Sequence, residues 1–296
     1  MLDITASAFQ YLLLSLAILT ILLPKLASRK GIPLLALISR WLRWGLFAGL
    51  FAYILRYFNI SYRPDWVHFI TGLAIWFLIE TGYYWIAIKA LNRSQMPLFP
   101  NFKINTDGDE WPADPQLIEV RTQLRQENFK SLIALKAELF EDMFLRASIY
   151  QSEDQLTRVQ ILFIPKRQGG AIACYTLSTN VEKNRRLITD NFFLPFGGYY
   201  PEGWNIARRP LIGTFKRLLK LHRRRILESD LQAVPVENDP LEELNTQQRI
   251  LERFNLEIGF LNPIQHQEEV GKISCDGRYR LWKEMWMLAY LGKPVS

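Results

Sequence analysis

Residues 4–24 read ITASAFQYLLLSLAILTILLP, a run of 21 residues without a charged side chain. A helix of this length is about 30 Å long, which matches the hydrocarbon thickness of a bilayer. A cleaved signal peptide is the alternative. It is disfavoured because the chain opens with Asp3 rather than a basic region, and because the run ends in Pro24 and Lys25 rather than in small residues. We predict a retained transmembrane helix.

A second apolar segment covers 34–58, but its uncharged centre, 44–55, is only 12 residues long. Arg40 and Arg43 lie on one side of this centre and Arg56 on the other. Arginine side chains can extend to the headgroups from a turn or two inside the bilayer. We therefore predict that the segment spans, with a re-entrant or interfacial helix as the alternative.

A third apolar segment covers 66–91, and Glu80 is its only charge between Trp66 and Ile88. An ionisable side chain at that depth is a candidate functional residue. We predict that Glu80 forms an intramembrane ion pair with Arg43, or with Arg40, which fixes the packing of the second and third helices. A proton or ion relay through Glu80 is the alternative, and it would need further polar partners.

The distribution of charge predicts the orientation. Up to Arg93 the chain has nine Lys and Arg against three acidic residues, whereas from Gln95 onward it has 27 against 26. The net charge of +7 therefore lies beside the apolar segments, where the positive-inside rule places it. We expect an inner-membrane protein with its N-terminus outside and the 25–43 loop and the C-terminal domain in the cytoplasm. We do not expect nucleic-acid binding, because the C-terminal part is nearly neutral.

From about residue 94 the composition is that of a soluble domain. Prolines at 97, 100 and 112 predict an irregular linker. A helix is predicted to start at Asp114-Pro115, and a second helix is predicted over 129–141. The period of the apolar residues then changes to two, and short turn-like connections favour antiparallel neighbours. We predict a four-stranded antiparallel meander from the segments 143–150, 157–165, 171–178 and 186–195.

The predicted fold class is thus a membrane-anchored α+β protein, with three transmembrane helices in a 1–93 anchor and a cytoplasmic α+β domain over 94–296. Helices on one face of the meander are expected to complete this domain. Beyond the meander we predict a helix over 240–254, a short extended piece over 256–263 and a last helix over 277–291.

Residues 211–227, LIGTFKRLLKLHRRRIL, predict a basic amphipathic helix. Its cationic side chains are expected to bind anionic headgroups at the membrane surface. In the alternative, this is an ordinary core helix whose charged face meets the acidic stretch after it, residues 228–243. The predicted membrane-surface residues are Arg208, Arg209, Lys216, Arg217, Lys220, Arg223, Arg224 and Arg225.

The sequence contains none of the common catalytic motifs that we considered. The chain has no glycine-rich phosphate loop, no G-x-S-x-G and no H-E-x-x-H. Cys174 and Cys275 are expected to be free thiols in a reducing compartment. His266 with the two following glutamates is a weak metal motif, and pairing Cys275 with His222 or His266 would require proximity in the fold. We expect no cofactor and no metal site.

The leading hypothesis is a non-enzymatic interaction or scaffold module, held at the cytoplasmic face of the membrane and in contact with lipid headgroups or a membrane protein partner. The alternative is a membrane-associated enzyme or ligand-binding sensor, with a pocket near the aromatic loop at 196–210. A small transporter built around Glu80 is a third class.

Overall fold

The structure, a computed structural model, describes residues 2–30, 32–107, 111–141, 143–165, 170–182, 185–229 and 231–295. It is a mixed helix-and-sheet protein. Three long N-terminal helices come first, and a sheet with helices on both of its faces follows. At this level the predicted fold class is confirmed.

The three apolar segments form helices α1 (Leu2–Lys30), α2 (Pro33–Tyr57) and α3 (Asp65–Arg93). All three are long and apolar enough to cross a membrane. Proline occupies the first position of α2, and Pro64 is the N-cap of α3. Proline suits these positions because the first helical turn does not use its own N–H groups.

The helices pack in sequence, α1 against α2 and α2 against α3. A Cβ atom built on Gly72 would lie 2.9 Å from the Cα of Ala48, so glycine allows the close approach of α2 and α3. On their outer faces the helices leave large apolar side chains exposed, among them Ile70, Leu78 and Ile86. A surface of this kind requires cover by lipid or protein.

Eight strands form one sheet in the part of the chain that the structure describes. The order is β1 to β7, β8 pairs with the end of β5, and only β6 and β7 are parallel neighbours. The antiparallel order of the four predicted strands is confirmed by β3 to β6, although β6 ends at Asp190 rather than at residue 195. The strands are β1 (Lys103–Ile104), β2 (Phe129–Phe140), β3 (Met143–Ser152), β4 (Thr157–Pro165), β5 (Ala171–Val181), β6 (Arg185–Asp190), β7 (Trp204–Arg208) and β8 (Ala233–Val234).

The helix predicted over 129–141 is wrong, because this segment is the long strand β2. Its pairing register with β3 shifts by one residue between Ser131 and Ile133. A bulge of this kind turns the following side chains to the other face. Phe129 accordingly packs on one face of the sheet and Leu135 on the other. The shift breaks the alternation by which a strand is recognised in a sequence.

Helices cover both faces of the sheet, so the prediction of helices on one face only is wrong. On one face, α4 (Pro115–Gln126) and α5 (Phe215–Glu228) share an apolar cluster with β4 and β5. On the other face, α6 (Pro240–Glu257) packs Leu244 against β2 and β3. The predicted start of α4 at Asp114-Pro115 is confirmed.

The C-terminal segment returns to α3. Helix α6 runs to Glu257, because no helix breaker occurs before Gly259, whose φ is 82°. The extended piece predicted over 256–263 is therefore wrong; Leu261 forms only an isolated bridge with Ile273. A 3₁₀ turn and short α7 (Gln267–Val270) follow, and α8 (Cys275–Trp286) continues into a π-helical turn, Met287–Leu291, which we call the C-terminal turn.

Candidate functional site

Glu80 lies at a junction between α3 and the C-terminal turn. Its carboxylate accepts hydrogen bonds from the indole of Trp76 at 3.0 Å and the phenol of Tyr84 at 2.9 Å, both on α3. The phenol of Tyr290, on the C-terminal turn, is a third donor. Among the described residues Glu80 forms no ion pair with Arg43 or with Arg40: the aromatic donors hold its carboxylate, and the side chain of Arg43 is exposed.

Aromatic side chains surround this junction. The indole of Trp41 on α2 donates to the carbonyl oxygen of Tyr290 at 2.9 Å, and the two ring centroids are 5.2 Å apart. Trp286 packs between Tyr84 and Phe77 of α3, with centroids 5.4 and 5.0 Å away. The hydrogen bond from Trp41 satisfies a carbonyl at the end of the chain's last helical turn. The sheet-containing part of the chain is thus joined directly to α2 and α3.

A second junction is built on Asn92, near the end of α3. Its side chain accepts a hydrogen bond from the backbone N–H of Ile273 at 2.6 Å and donates to the carbonyl of Val270 at 3.2 Å. A Cβ on Gly271 would lie 2.0 Å from the Asn92 amide nitrogen, so only glycine fits there. Ile88, one turn earlier, is buried against Ile273 and its neighbours. The junctions at Glu80 and at Asn92 together fix the orientation of the sheet-containing part of the chain relative to α3.

The structure corrects part of the predicted basic surface. Arg208 is buried at the end of β7, where it pairs with Glu284 at 2.9 Å and Asp190 at 3.4 Å. Burial raises the pKa of the Asp190 carboxyl, and the guanidinium of Arg208 opposes that shift. Arg208 therefore cannot reach headgroups. Arg225 is half-buried and donates to the backbone carbonyls of Ile188 and Asn205.

The other six predicted cations are exposed. Arg223 pairs with Glu127 at 2.8 Å and Arg224 with Glu228 at 2.7 Å. Within the described residues the remaining four form no ion pair, and we call them the free cations: Arg209, Lys216, Arg217 and Lys220. The sequence correctly predicted the helix but could not separate these four from buried Arg208.

The aromatic loop predicted over 196–210 packs inward. Its second half is strand β7, and the ring of Phe196 packs against the rings of Phe99 and Tyr200, with centroids 5.9 and 5.0 Å away. The side chain of Asn255 on α6 holds the backbone of Tyr199 through both its N–H and its carbonyl. These contacts favour a loop that closes the core rather than one that covers a pocket.

His222, which the sequence analysis considered as a catalytic partner of Cys275, is held in the core by hydrogen bonds. Both nitrogens of buried His222 bond to hydroxyls, of Thr179 at 3.0 Å and Thr189 at 2.8 Å, so this imidazole is not free to act on Cys275. Cys174 and Cys275 are free thiols, and burial raises the pKa of Cys174 to about 12. Within the described ranges, no three His, Cys, Asp or Glu side chains come together as metal ligands.

A buried charge network escaped the sequence analysis. Glu243, at the start of α6, pairs with Arg158 of β4 and with Arg186 of β6, the latter at 2.8 Å. Gln151 accepts from the same Arg158 at 3.2 Å. The sequence analysis placed Glu243 in the acidic stretch 228–243, which the alternative set against the charged face of α5. Its burial was missed because buried and exposed charges look alike in a sequence. The network ties α6 to the sheet, and its members Gln151 and Arg158 also line a cavity of about 510 Å³.

Comparison with protein families, with curated proteins and with solved structures found no match to this chain.

Proposed function

We propose that α1, α2 and α3 span a membrane and hold the sheet-containing part as a non-enzymatic interaction module against its cytoplasmic face, with the N-terminus outside. The support for spanning is the length and apolar composition of the three helices. The support for the orientation is the excess of Lys and Arg over acidic residues around the α1–α2 loop.

The observation that carries the proposal is the junction of the C-terminal turn with α2 and α3. Trp41, Trp44, Trp286 and Tyr290 form one cluster, with neighbouring centroids 4.8–5.9 Å apart. Trp41 and Trp44 lie on α2, and Trp286 also contacts Phe77 and Tyr84 of α3. A cluster that joins both helices to the C-terminal end of the module would hold the module in one orientation relative to the membrane, as a scaffold requires and a flexible tether would not provide.

The module would then present the free cations to headgroups. The side chain of Leu211, just before α5, meets Gly292, the residue that follows the C-terminal turn. The N-terminal end of α5 is therefore on the membrane-proximal side of the module, together with Arg209, Lys216 and Arg217. Each basic residue near an anionic surface contributes about 1 kcal/mol of attraction.

A distance-dependent label tests this contact. In a Cys275→Ser background, Lys216→Cys carries a spin label on the full chain in nanodiscs that contain a nickel-chelating lipid. Glu242→Cys is the matched control: it is exposed and lies on the first turn of α6, about 22 Å along that helix from the end that packs near α3. We expect nickel to enhance relaxation several-fold more at position 216 than at 242. Equal enhancement at the two positions would refute the contact of α5 with the headgroups.

A further inference from the structure

A cavity of about 250 Å³ lies between the end of α3 and α8. Lys89, Arg93 and Arg278 line it together with Trp85 and Ile86, and no acidic side chain contributes to its lining. Asn92 and Val270 also line it, and the hydrogen bonds of Asn92 to Val270 and Ile273 fix α3 against this segment. The cavity is therefore a preformed space lined by cations and by apolar side chains.

The three cations have no acidic partner. Within the described residues none of them takes part in a salt bridge. The Nε atom of Arg278 is also buried without a hydrogen-bond acceptor. A buried guanidinium N–H without an acceptor is costly, and phosphate oxygens satisfy it well because the planar fork of arginine matches their geometry.

The apolar side of the cavity continues along α3 as a stripe. Ile79, Tyr83 and Ile86 are spaced four and three residues apart, and all three are exposed. They lie on one face of the helix. The stripe leads from the cavity toward the middle of α3, in the direction that an acyl chain would take. A soluble phosphate compound has no acyl chain that could cover this stripe.

We propose that this cavity binds the phosphate headgroup of one anionic phospholipid, with an acyl chain along the stripe. The volume is below the roughly 300–1,000 Å³ of pockets for drug-sized ligands, and so suits a headgroup rather than a whole cofactor. Lys89, Arg93 and Arg278 contact the phosphate, and Trp85 and Ile86 contact the first part of the acyl chain. The inference rests on the proposed membrane placement, but the site is distinct from α5.

Native mass spectrometry on the full chain tests this site. The protein is released from micelles that contain equal amounts of phosphatidylglycerol and phosphatidylcholine. We expect one phosphatidylglycerol per chain to be retained in preference to phosphatidylcholine. Lys89→Gln and Arg278→Gln should each lower this retention about fivefold, which corresponds to about 1 kcal/mol per cation. Lys89 is exposed, so its replacement leaves the fold intact.

The matched control removes the same charge elsewhere: Lys103→Gln at an exposed position on β1 should leave retention unchanged, and Arg278→Lys should retain more lipid than Arg278→Gln. Retention without preference, or equal loss in the Lys103→Gln control, would overturn the inference. So would displacement of the lipid by millimolar inorganic phosphate, which would reassign the cavity to a soluble anion. Alkaline extraction of the membranes from which the protein is purified separates the two proposals. A chain that alkali extracts is not inserted in the membrane at all. An inserted chain that retains lipid without preference for phosphatidylglycerol refutes only the lipid site.

Discussion

His222 is a fully buried imidazole held between two threonine hydroxyls. Burial, helped by the nearby positive charge of Arg225, lowers its pKa to about 3. The histidine is therefore neutral in the folded protein and serves to join α5 to β5 and β6. In the sequence His222 is followed by three arginines on a predicted helix, and we considered it as a catalytic base for Cys275.

We predict that His222 makes the protein sensitive to acid. An imidazole in the unfolded chain has a pKa of about 6.5, so between pH 6.5 and about 3 only the unfolded state takes up the proton. The stabilising contribution is complete above pH 6.5 and is lost as the pH falls, by about 1.4 kcal/mol per unit.

Denaturant unfolding of the full chain in detergent at several pH values measures this loss. Between pH 7 and pH 5, His222→Gln should lose about 2 kcal/mol less than the wild-type protein. His266→Gln, at an exposed position, is the control and should keep the wild-type slope. A wild-type slope in His222→Gln would contradict the prediction.

Single residues show where sequence reasoning stops. Glu80 was singled out as the one charge of its apolar segment, but its partner Tyr290 is 210 positions away. Arg208 and Arg158 are buried, yet their neighbours in the sequence resemble those of exposed arginines. Burial and long-range pairing follow from the tertiary fold, and residue type alone does not reveal them.

At the scale of elements, strong periodicity was predictive and interrupted periodicity was not. Helix α5 appears where its apolar spacing placed it, and strands β3 to β6 follow their alternation. In β2 the bulge near Ser131 moves the apolar side chains from one face to the other. The resulting pattern matches a helical stripe by coincidence.

Two leucines of β2 distinguish a strand from a helix. The side chain of Leu135 is fully buried, whereas 43% of Leu132 is exposed. We predict that Leu135→Ala lowers the free energy of unfolding by about 2–5 kcal/mol, because it leaves a cavity beneath α6. Leu132→Ala should cost about 0.5 kcal/mol or less. Denaturant titration of the two variants in detergent compares them, and the reverse ranking would argue for the amphipathic helix instead.

At the scale of the whole molecule, composition predicted two unlike regions but not how closely they are joined. The three N-terminal helices and the sheet-containing part follow the split in composition. The return of the C-terminal turn to Trp41 and Glu80 was not predictable, because the last helix is aromatic on most sides and shows no preferred partner. Removing residues before 95 would expose Trp286, Tyr290 and Ile273, so isolated fragments are poor substitutes for the full chain.

The most direct test of the account is the side of the membrane from which two cysteines react. Exposed Cys275 is the natural probe, and Cys174 is buried and serves as an internal blank. The second probe is Tyr62→Cys in a Cys275→Ser background, because Tyr62 is fully exposed between α2 and α3. A membrane-impermeant maleimide is applied to right-side-out and inverted vesicles. We predict that Cys275 reacts only in inverted vesicles and position 62 only in right-side-out ones. Reaction of both from the same side, or of Cys275 from the outside, would contradict the proposed topology.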